Sequence, residues 1–137
     1  MTLTLVPGQL TLAQLRTLCS PDVPQVALDP ACRDGIRASA ALVKKATEGD
    51  AAVYGVNTGF GKLAMKRIAR EDLATLQLKL LRSHAVGVGE PMSERVVRLI
   101  LVLKATSLAR GFSGVREEVV DALLALYNAG VTPVIPC

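Results

Sequence analysis

Two short segments of the sequence place a titratable side chain beside closely spaced glycines. Residues 54–61 read Tyr-Gly-Val-Asn-Thr-Gly-Phe-Gly, so that Tyr54 contributes a phenol. Residues 83–89 read Ser-His-Ala-Val-Gly-Val-Gly, so that His84 contributes the only imidazole of the chain. Glycine has no side chain, which lets the backbone approach a ligand closely. These two segments are therefore the candidates for a binding or catalytic site.

Each candidate also has a purely structural interpretation. A tyrosine such as Tyr54 is often a half-buried loop residue whose hydroxyl is hydrogen-bonded. A histidine such as His84 is favoured at the C-terminal end of a helix, where the helix dipole attracts positive charge. Residue types and spacing alone favour these structural interpretations over a functional one.

Other catalytic patterns are absent from the sequence. It contains no P-loop, no dinucleotide-binding fingerprint and no His-Glu-x-x-His motif. Ser113 lies in Gly-Phe-Ser-Gly, which lacks the Gly-x-Ser-x-Gly frame of a hydrolase nucleophile. His84 has no carboxylate three or four residues away, so the sequence predicts no metal site.

The composition is that of one small domain with an aliphatic core. Of 137 residues, 50% are hydrophobic but only 3% are aromatic, which excludes a stacking platform for single-stranded nucleic acid. The basic residues behind the net charge of +4 are scattered, which favours a solvated surface over a nucleic-acid interface. Cys19, Cys32 and Cys137 form no Cys-x-x-Cys pair and predict neither a disulfide framework nor a zinc knuckle. With no signal peptide or membrane span evident, we expect a soluble cytosolic protein.

The elements that must position the candidate residues are mainly helices. Alternation over residues 1–6 predicts a short strand. Thr11 and Gln14 form a capping box for a helix to about Cys19. The pair Asp29-Pro30 predicts the start of a second helix that ends at residues 49–50.

Three more helices are predicted beyond a glycine-rich loop over residues 51–62. They run from about residue 70 to His84, from residue 93 to 109, and from residue 115 to 129, the last closed by Gly130. The helix over 93–109 is apolar on nearly every side, which is typical of burial in a larger assembly. A non-catalytic helical module that docks on a partner chain is therefore an alternative function.

Three segments resemble the N-terminal part of the aromatic amino acid ammonia-lyases: the two glycine-rich segments and residues 104–116. The tyrosine loop over 54–61 is followed by a run over 104–116 that contains Ser-Leu-Ala-Arg-Gly-Phe-Ser-Gly, in the order the family has them. The pair Ser83-His84 resembles the histidine-specific members, the histidine ammonia-lyases, because members acting on phenylalanine or tyrosine carry Phe-Leu or His-Leu there. Asn57 also resembles the histidine-specific members. The resemblance implies a mainly α fold of the fumarase/aspartase type, with a small β element near the N-terminus.

The same resemblance implies the non-oxidative elimination of ammonia from L-histidine to give trans-urocanate, in a cytoplasmic homotetramer of histidine catabolism. Tyr54 would be the catalytic base, while His84 and Ser83 would bind the substrate. The residues of the supporting loop would be Gly55, Asn57, Thr58, Gly59, Phe60 and Gly61. A phenylalanine or tyrosine ammonia-lyase, or an aminomutase of the same family, is the alternative enzyme.

The family's electrophile is a methylidene-imidazolone ring formed from the tripeptide Ala-Ser-Gly. That tripeptide does not occur in the 137 residues, so this chain has no cofactor-forming residue. The resemblance implies no metal and no dissociable cofactor. We therefore expect residues 1–137 to be a single N-terminal segment, truncated at Cys137 before the cofactor-forming site and inactive by itself.

Overall fold

Helices make up most of the chain, as the spacing of its aliphatic residues predicts. The computed structural model describes residues 2–136, so Met1 of the predicted strand and Cys137 lie outside the described residues. Short 3-10 turns lie at Pro30–Cys32, Gly61–Leu63 and Arg70–Asp72. The helices and strands are β1 (Thr2–Leu5), α1 (Leu12–Leu18), β2 (Gln25–Leu28), α2 (Arg33–Glu48), α3 (Leu73–His84), α4 (Glu94–Leu108) and α5 (Glu117–Asn128).

The predicted N-terminal strand is confirmed as β1, and it pairs in parallel with β2, which the sequence analysis missed. The register runs from Thr2 opposite Gln25 to Leu5 opposite Leu28. Buried Leu5, Leu28 and Val26 point the inner face of this pair into the core. With four residues, β2 is too short for its alternation to stand out from the flanking sequence.

Local capping signals set the ends of two helices where they were predicted. The Thr11 hydroxyl oxygen accepts from the Gln14 backbone N–H at 3.2 Å, and the Gln14 side-chain oxygen accepts from the Thr11 backbone N–H at 2.8 Å. After α5, Gly130 has a φ of +67° and donates its N–H to the Tyr127 carbonyl at 3.0 Å. Both signals work because every partner lies within a few residues along the chain.

The second helix begins later than its sequence signal. The Asp29 carboxylate accepts from the Ala31 backbone N–H at 3.0 Å, as an N-cap residue does. The turn that follows is a 3-10 turn over Pro30–Cys32, and α-helical hydrogen bonding starts only at Arg33. The prediction of a helix from Pro30 was therefore wrong by one turn, because 3-10 turns are frequent at helix starts.

The chain divides into two compact units, residues 1–40 with 88–137, and residues 41–87. The first unit, here called the core unit, contains an aliphatic cluster in which α4 packs against α5 and α1. The predicted aliphatic core is confirmed, although Val96, Ile100 and Leu103 of α4 remain more than one-third exposed. The largest fully buried apolar side chains of this unit are Leu5, Leu18, Ile36, Val97, Val102 and Val120.

Ion pairs between α2 and α5 reinforce the core unit. Arg33 binds the carboxylates of Glu117 and Asp121, and Arg37 binds Glu117 at 3.0 Å. The Arg33 hydrogen bond is the largest influence on Glu117 and lowers the pKa of its carboxyl below the ordinary glutamate value.

The second unit, here called the loop unit, comprises residues 41–87. It contains the C-terminal part of α2, the glycine-rich loop and α3. Its fully buried side chains are polar, those of Asn57 and Thr58. On α3 the leucines at 73, 76 and 80 are half-buried, whereas Leu78 and Leu81 are exposed.

Candidate active site

The side chain of Asn57 is buried inside the glycine-rich loop and binds its backbone. Its side chain is 1% exposed, and its Oδ1 accepts from the Val53 backbone N–H at 2.7 Å. Its Nδ2 donates to the carbonyls of Ala46, in the last turns of α2, and Ala51, at 3.0 and 2.9 Å. Because backbone groups engage Oδ1 and both amide hydrogens, Asn57 fixes the turn over residues 53–57 to the end of α2.

After Asn57 the chain forms a narrow loop, and residues 66–68 return to lie beside residues 57–59. The Asn57 carbonyl accepts from the Ile68 N–H at 2.9 Å, and Gly59 N–H donates to the Lys66 carbonyl at 3.0 Å. A Cβ atom at Gly59 would lie 2.6 Å from the Leu63 Cβ, closer than real side chains approach. Gly59 is therefore required by this close contact, whereas the sequence analysis assigned it only to the loop in general.

Arg67, in the returning part of the loop, binds the residues that directly follow α2. Its Nη2 donates to the Gly49 carbonyl at 2.7 Å, and its Nη1 pairs with the Asp50 carboxylate at 3.1 Å. Arg67 was not predicted as a site residue, because neither of its partners lies at a spacing that local sequence patterns reveal. Arg67 and Asn57 together hold both ends of the loop against one helix end.

Tyr54 projects from the turn that Asn57 closes. Its side chain is 64% exposed, and its ring meets the Phe60 ring edge to face at a centroid distance of 6.1 Å. Gly55, the next residue, has a φ of +77°, a conformation that favours glycine. Among residues 2–136 the Tyr54 hydroxyl has no hydrogen-bond partner, so a half-buried tyrosine with a bonded hydroxyl does not describe it.

Ser83 and His84 lie in the last turn of α3, and His84 is its final residue as predicted. Both side chains are exposed. The Ser83 hydroxyl donates to the Leu80 carbonyl at 2.9 Å, and His84 Nδ1 lies 2.9 Å from the same oxygen. This contact with the Leu80 carbonyl was not predicted, although Leu80 lies four residues before His84, the spacing of one helical turn.

The loop unit contains every residue assigned to the candidate site. Within it Tyr54 contacts Phe60, and Ser83 contacts His84 with Oγ and Nδ1 3.0 Å apart. Across the described part of the chain, no hydrogen bond or ring contact joins Tyr54 to His84. The structure thus brings together two pairs of candidate residues on one compact unit.

The loop unit also holds the excess positive charge. Residues 41–87 include eight Lys or Arg and four Asp or Glu, whereas the rest of the sequence has eight of each. The whole formal net charge of +4 therefore belongs to the unit with Tyr54 and His84. Such an excess raises the local concentration of anionic molecules, including carboxylates.

Neither a metal-ligand cluster nor a membrane-spanning helix is found within residues 2–136. No group of three His, Cys, Asp or Glu side chains is placed to hold a metal ion there. None of the described helices is long and apolar enough to cross a membrane. Cys19 and Cys32 are free thiols, and Cys137 lies outside the described residues.

The fold and the sequence together define the family. The chain belongs to the aromatic amino acid lyase family, whose model matches residues 10–137. It is 55% identical over 98% of its length to the histidine ammonia-lyases of Salmonella paratyphi B and Salmonella typhimurium. It spans only 26% of the length of those relatives.

Solved structures agree with this assignment. Histidine ammonia-lyase from Trypanosoma cruzi matches 99% of the chain with 35% identity and a TM-score of 0.88, and 26% of its own chain is covered. Tyrosine aminomutase from Streptomyces globisporus matches 99% of the chain with 27% identity and a TM-score of 0.89, again over 26% of its own chain. The mainly α fold with a small β element, expected from the resemblance, is confirmed.

Proposed function

We propose that residues 1–137 are a single N-terminal segment of a histidine ammonia-lyase. The complete enzyme would eliminate ammonia from L-histidine to give trans-urocanate, as a cytoplasmic homotetramer in histidine catabolism. The 55% identity to histidine ammonia-lyases over 98% of the chain carries this proposal. The exposed Tyr54 and His84, both on the loop unit, support it.

Tyr54 is the proposed base that removes the β-proton of the substrate. Its hydroxyl is exposed and unpaired within residues 2–136, so a bound molecule can reach it, and in its phenolate form it would accept the β-proton. The hydrogen bonds of Asn57 fix the turn from which it projects, and the Phe60 ring lies edge to face with its ring. The supporting loop, including Gly55, Thr58, Gly59 and Gly61, has the role of placing this hydroxyl.

His84 is the proposed contact to the substrate's imidazole, with Ser83 beside it. An imidazole is both a donor and an acceptor, which suits recognition of another imidazole better than of an apolar ring. The positive charge of residues 41–87 would attract the substrate's carboxylate.

The electrophile of the reaction has no source in this chain. In the longer enzyme a methylidene-imidazolone formed from Ala-Ser-Gly would activate the substrate, and no such tripeptide is present in the 137 residues. The contribution of this segment is thus limited to binding, orientation and proton removal. The 137-residue chain alone is expected to form no urocanate.

The test is a matched pair of tyrosine substitutions in the full-length protein that contains this segment. Tyr54→Phe should lower the rate of urocanate formation from L-histidine by roughly 10²- to 10⁴-fold, because it removes the base and keeps the ring. Tyr127→Phe is the control, since it deletes a buried hydroxyl without a partner in the core unit and should leave the rate unchanged. Urocanate is followed by its ultraviolet absorbance.

Three outcomes would contradict the proposal. A Tyr54→Phe rate within about twofold of wild type would remove Tyr54 from the mechanism. A wild-type protein that converts phenylalanine or tyrosine in preference to L-histidine would be an aromatic lyase of different specificity. Formation of a β-amino acid in place of urocanate would identify an aminomutase.

A further inference from the structure

The two ring nitrogens of His84 lie in different surroundings. Nδ1 is 2.9 Å from the Leu80 carbonyl oxygen and 3.0 Å from the Ser83 hydroxyl oxygen. The Ser83 hydroxyl is itself 2.9 Å from the Leu80 carbonyl oxygen. Within residues 2–136, Nε2 has no hydrogen-bond partner, and the side chain is exposed.

The hydrogens of this cluster can be assigned by elimination. A carbonyl oxygen only accepts, so a nitrogen 2.9 Å from the Leu80 oxygen must carry a hydrogen. If Nδ1 lacked that hydrogen, its lone pair would face the lone pairs of the Leu80 oxygen. The single hydroxyl hydrogen of Ser83 would then also have to turn from Leu80 to His84. With the hydrogen on Nδ1, Ser83 donates to Leu80, and Nδ1–H donates to the Leu80 and Ser83 oxygens.

We propose that α3 holds His84 as the Nδ1–H tautomer, so that its neutral ring presents Nε2 as a hydrogen-bond acceptor. The chemical group that fits an outward acceptor is an N–H donor, such as the ring N–H of an imidazole. Ser83 then acts through His84 and is a positioning residue. Where it concerns L-histidine as the ligand, this inference rests on the proposed function.

The tautomer can be measured without any enzyme activity. The chain has one histidine, so a long-range ¹H–¹⁵N spectrum of the 137-residue protein reports on His84 alone. At a pH where the ring is neutral, we expect Nδ1 to be the protonated nitrogen, the reverse of the tautomer that free histidine prefers in water. Nε2 as the protonated nitrogen would overturn the proposal.

Two serine substitutions separate the effect of Ser83 on His84 from the general effect of deleting a serine-to-carbonyl hydrogen bond within a helix. Ser83→Ala removes one of the two acceptors around Nδ1–H and should shift the tautomer population toward Nε2–H. Ser39→Ala deletes the same kind of bond, from a helix serine to the carbonyl three residues earlier, at 3.0 Å from Ile36, with no histidine nearby in sequence. The Ser39 variant should leave the His84 signals unchanged, and equal shifts in both variants would contradict a role for Ser83.

The recognition step is tested in the full-length protein with two substrates. L-Histidine has a ring N–H, whereas thiazol-4-ylalanine has an unprotonated ring nitrogen and no N–H. His84→Ala should lower kcat/KM for L-histidine roughly tenfold or more and change that for the analogue by less than about twofold. Equal losses would overturn donor recognition at Nε2. If the wild-type protein does not convert L-histidine, the proposed function fails, while the spectrum still decides the tautomer.

Discussion

The core unit and the loop unit are each stabilised internally by a different kind of interaction. In residues 1–40 with 88–137 the buried side chains are mostly aliphatic, gathered around α4 and α5. In residues 41–87 the fully buried side chains are Asn57 and Thr58. Hydrophobic burial has no preferred direction, whereas a hydrogen bond requires a set distance and angle. The unit from which Tyr54 projects is thus fixed by directional bonds.

This difference has a consequence for local stability. Segments with few buried apolar contacts open at a lower free energy than the core around which a protein folds. The loop unit has exposed apolar side chains, such as Met65 and Leu81, and no aliphatic cluster like that of the core unit. We therefore expect the loop unit to open locally while the core unit stays folded.

The largest effect is expected from a cavity in the core unit. Ile36 on α2 is fully buried, so Ile36→Ala should lower the free energy of unfolding by about 2–5 kcal/mol. Leu42 lies on the same helix with its side chain 69% exposed. Leu42→Ala should therefore change the free energy of unfolding by less than about 0.5 kcal/mol. Urea denaturation of both variants measures the difference. Similar losses in the two variants would mean that burial in the core unit does not dominate stability.

A smaller and more local effect is expected at Asn57. Asn57→Ala leaves the Val53 N–H without its acceptor and the carbonyls of Ala46 and Ala51 without their donors. We expect a cost of about 1–3 kcal/mol, confined to the opening of the loop unit. Hydrogen exchange should show faster exchange at Val53 and Ile68 and unchanged exchange in α4.

A substitution in the core unit, Thr106→Val, is the matched control for Asn57→Ala. Thr106 is buried on α4, and its hydroxyl donates to the Val102 carbonyl at 2.9 Å. Thr106→Val removes that hydroxyl at nearly constant volume and should leave exchange at Val53 and Ile68 unaltered. If Asn57→Ala and Thr106→Val accelerated exchange across the same residues, the two units would open as one.

Local signals explain which parts of the fold could be predicted from the sequence. The Thr11–Gln14 capping box and the Gly130 helix end were predicted because each partner is close along the chain. The turn containing Tyr54 was predicted as a loop because glycines interrupt the helical period there. In each case the interaction that decides the structure is available before the chain folds.

Interactions between distant residues explain what could not be predicted. β2 is recognisable only beside β1, whose residues lie 23 positions earlier in the paired register. Asn57 could be assigned to the loop, but its structural role depends on backbone groups of Ala46, Ala51 and Val53 that the fold brings together. The orientation of His84 depends likewise on the Leu80 carbonyl, a group that side-chain patterns do not display.

The smallest effect is expected from acid titration of the ion pair between α2 and α5. Arg33 lowers the pKa of Glu117 in the folded protein, so folding favours the charged carboxylate. This stabilisation is fully present above the ordinary glutamate pKa of about 4.3 and is lost as the pH falls through the lower folded value. The Tm difference between wild type and Glu117→Gln should therefore be constant from neutral pH to about pH 5 and shrink in stronger acid.

Glu118→Gln makes the same charge change one residue away, without an ion pair among residues 2–136, and is the control. Because Arg33 and Glu117 both belong to the core unit, hydrogen exchange at Val53 should not follow this titration. A Tm difference that persists unchanged at the lowest pH would show that the pairing with Arg33 does not stabilise the core unit.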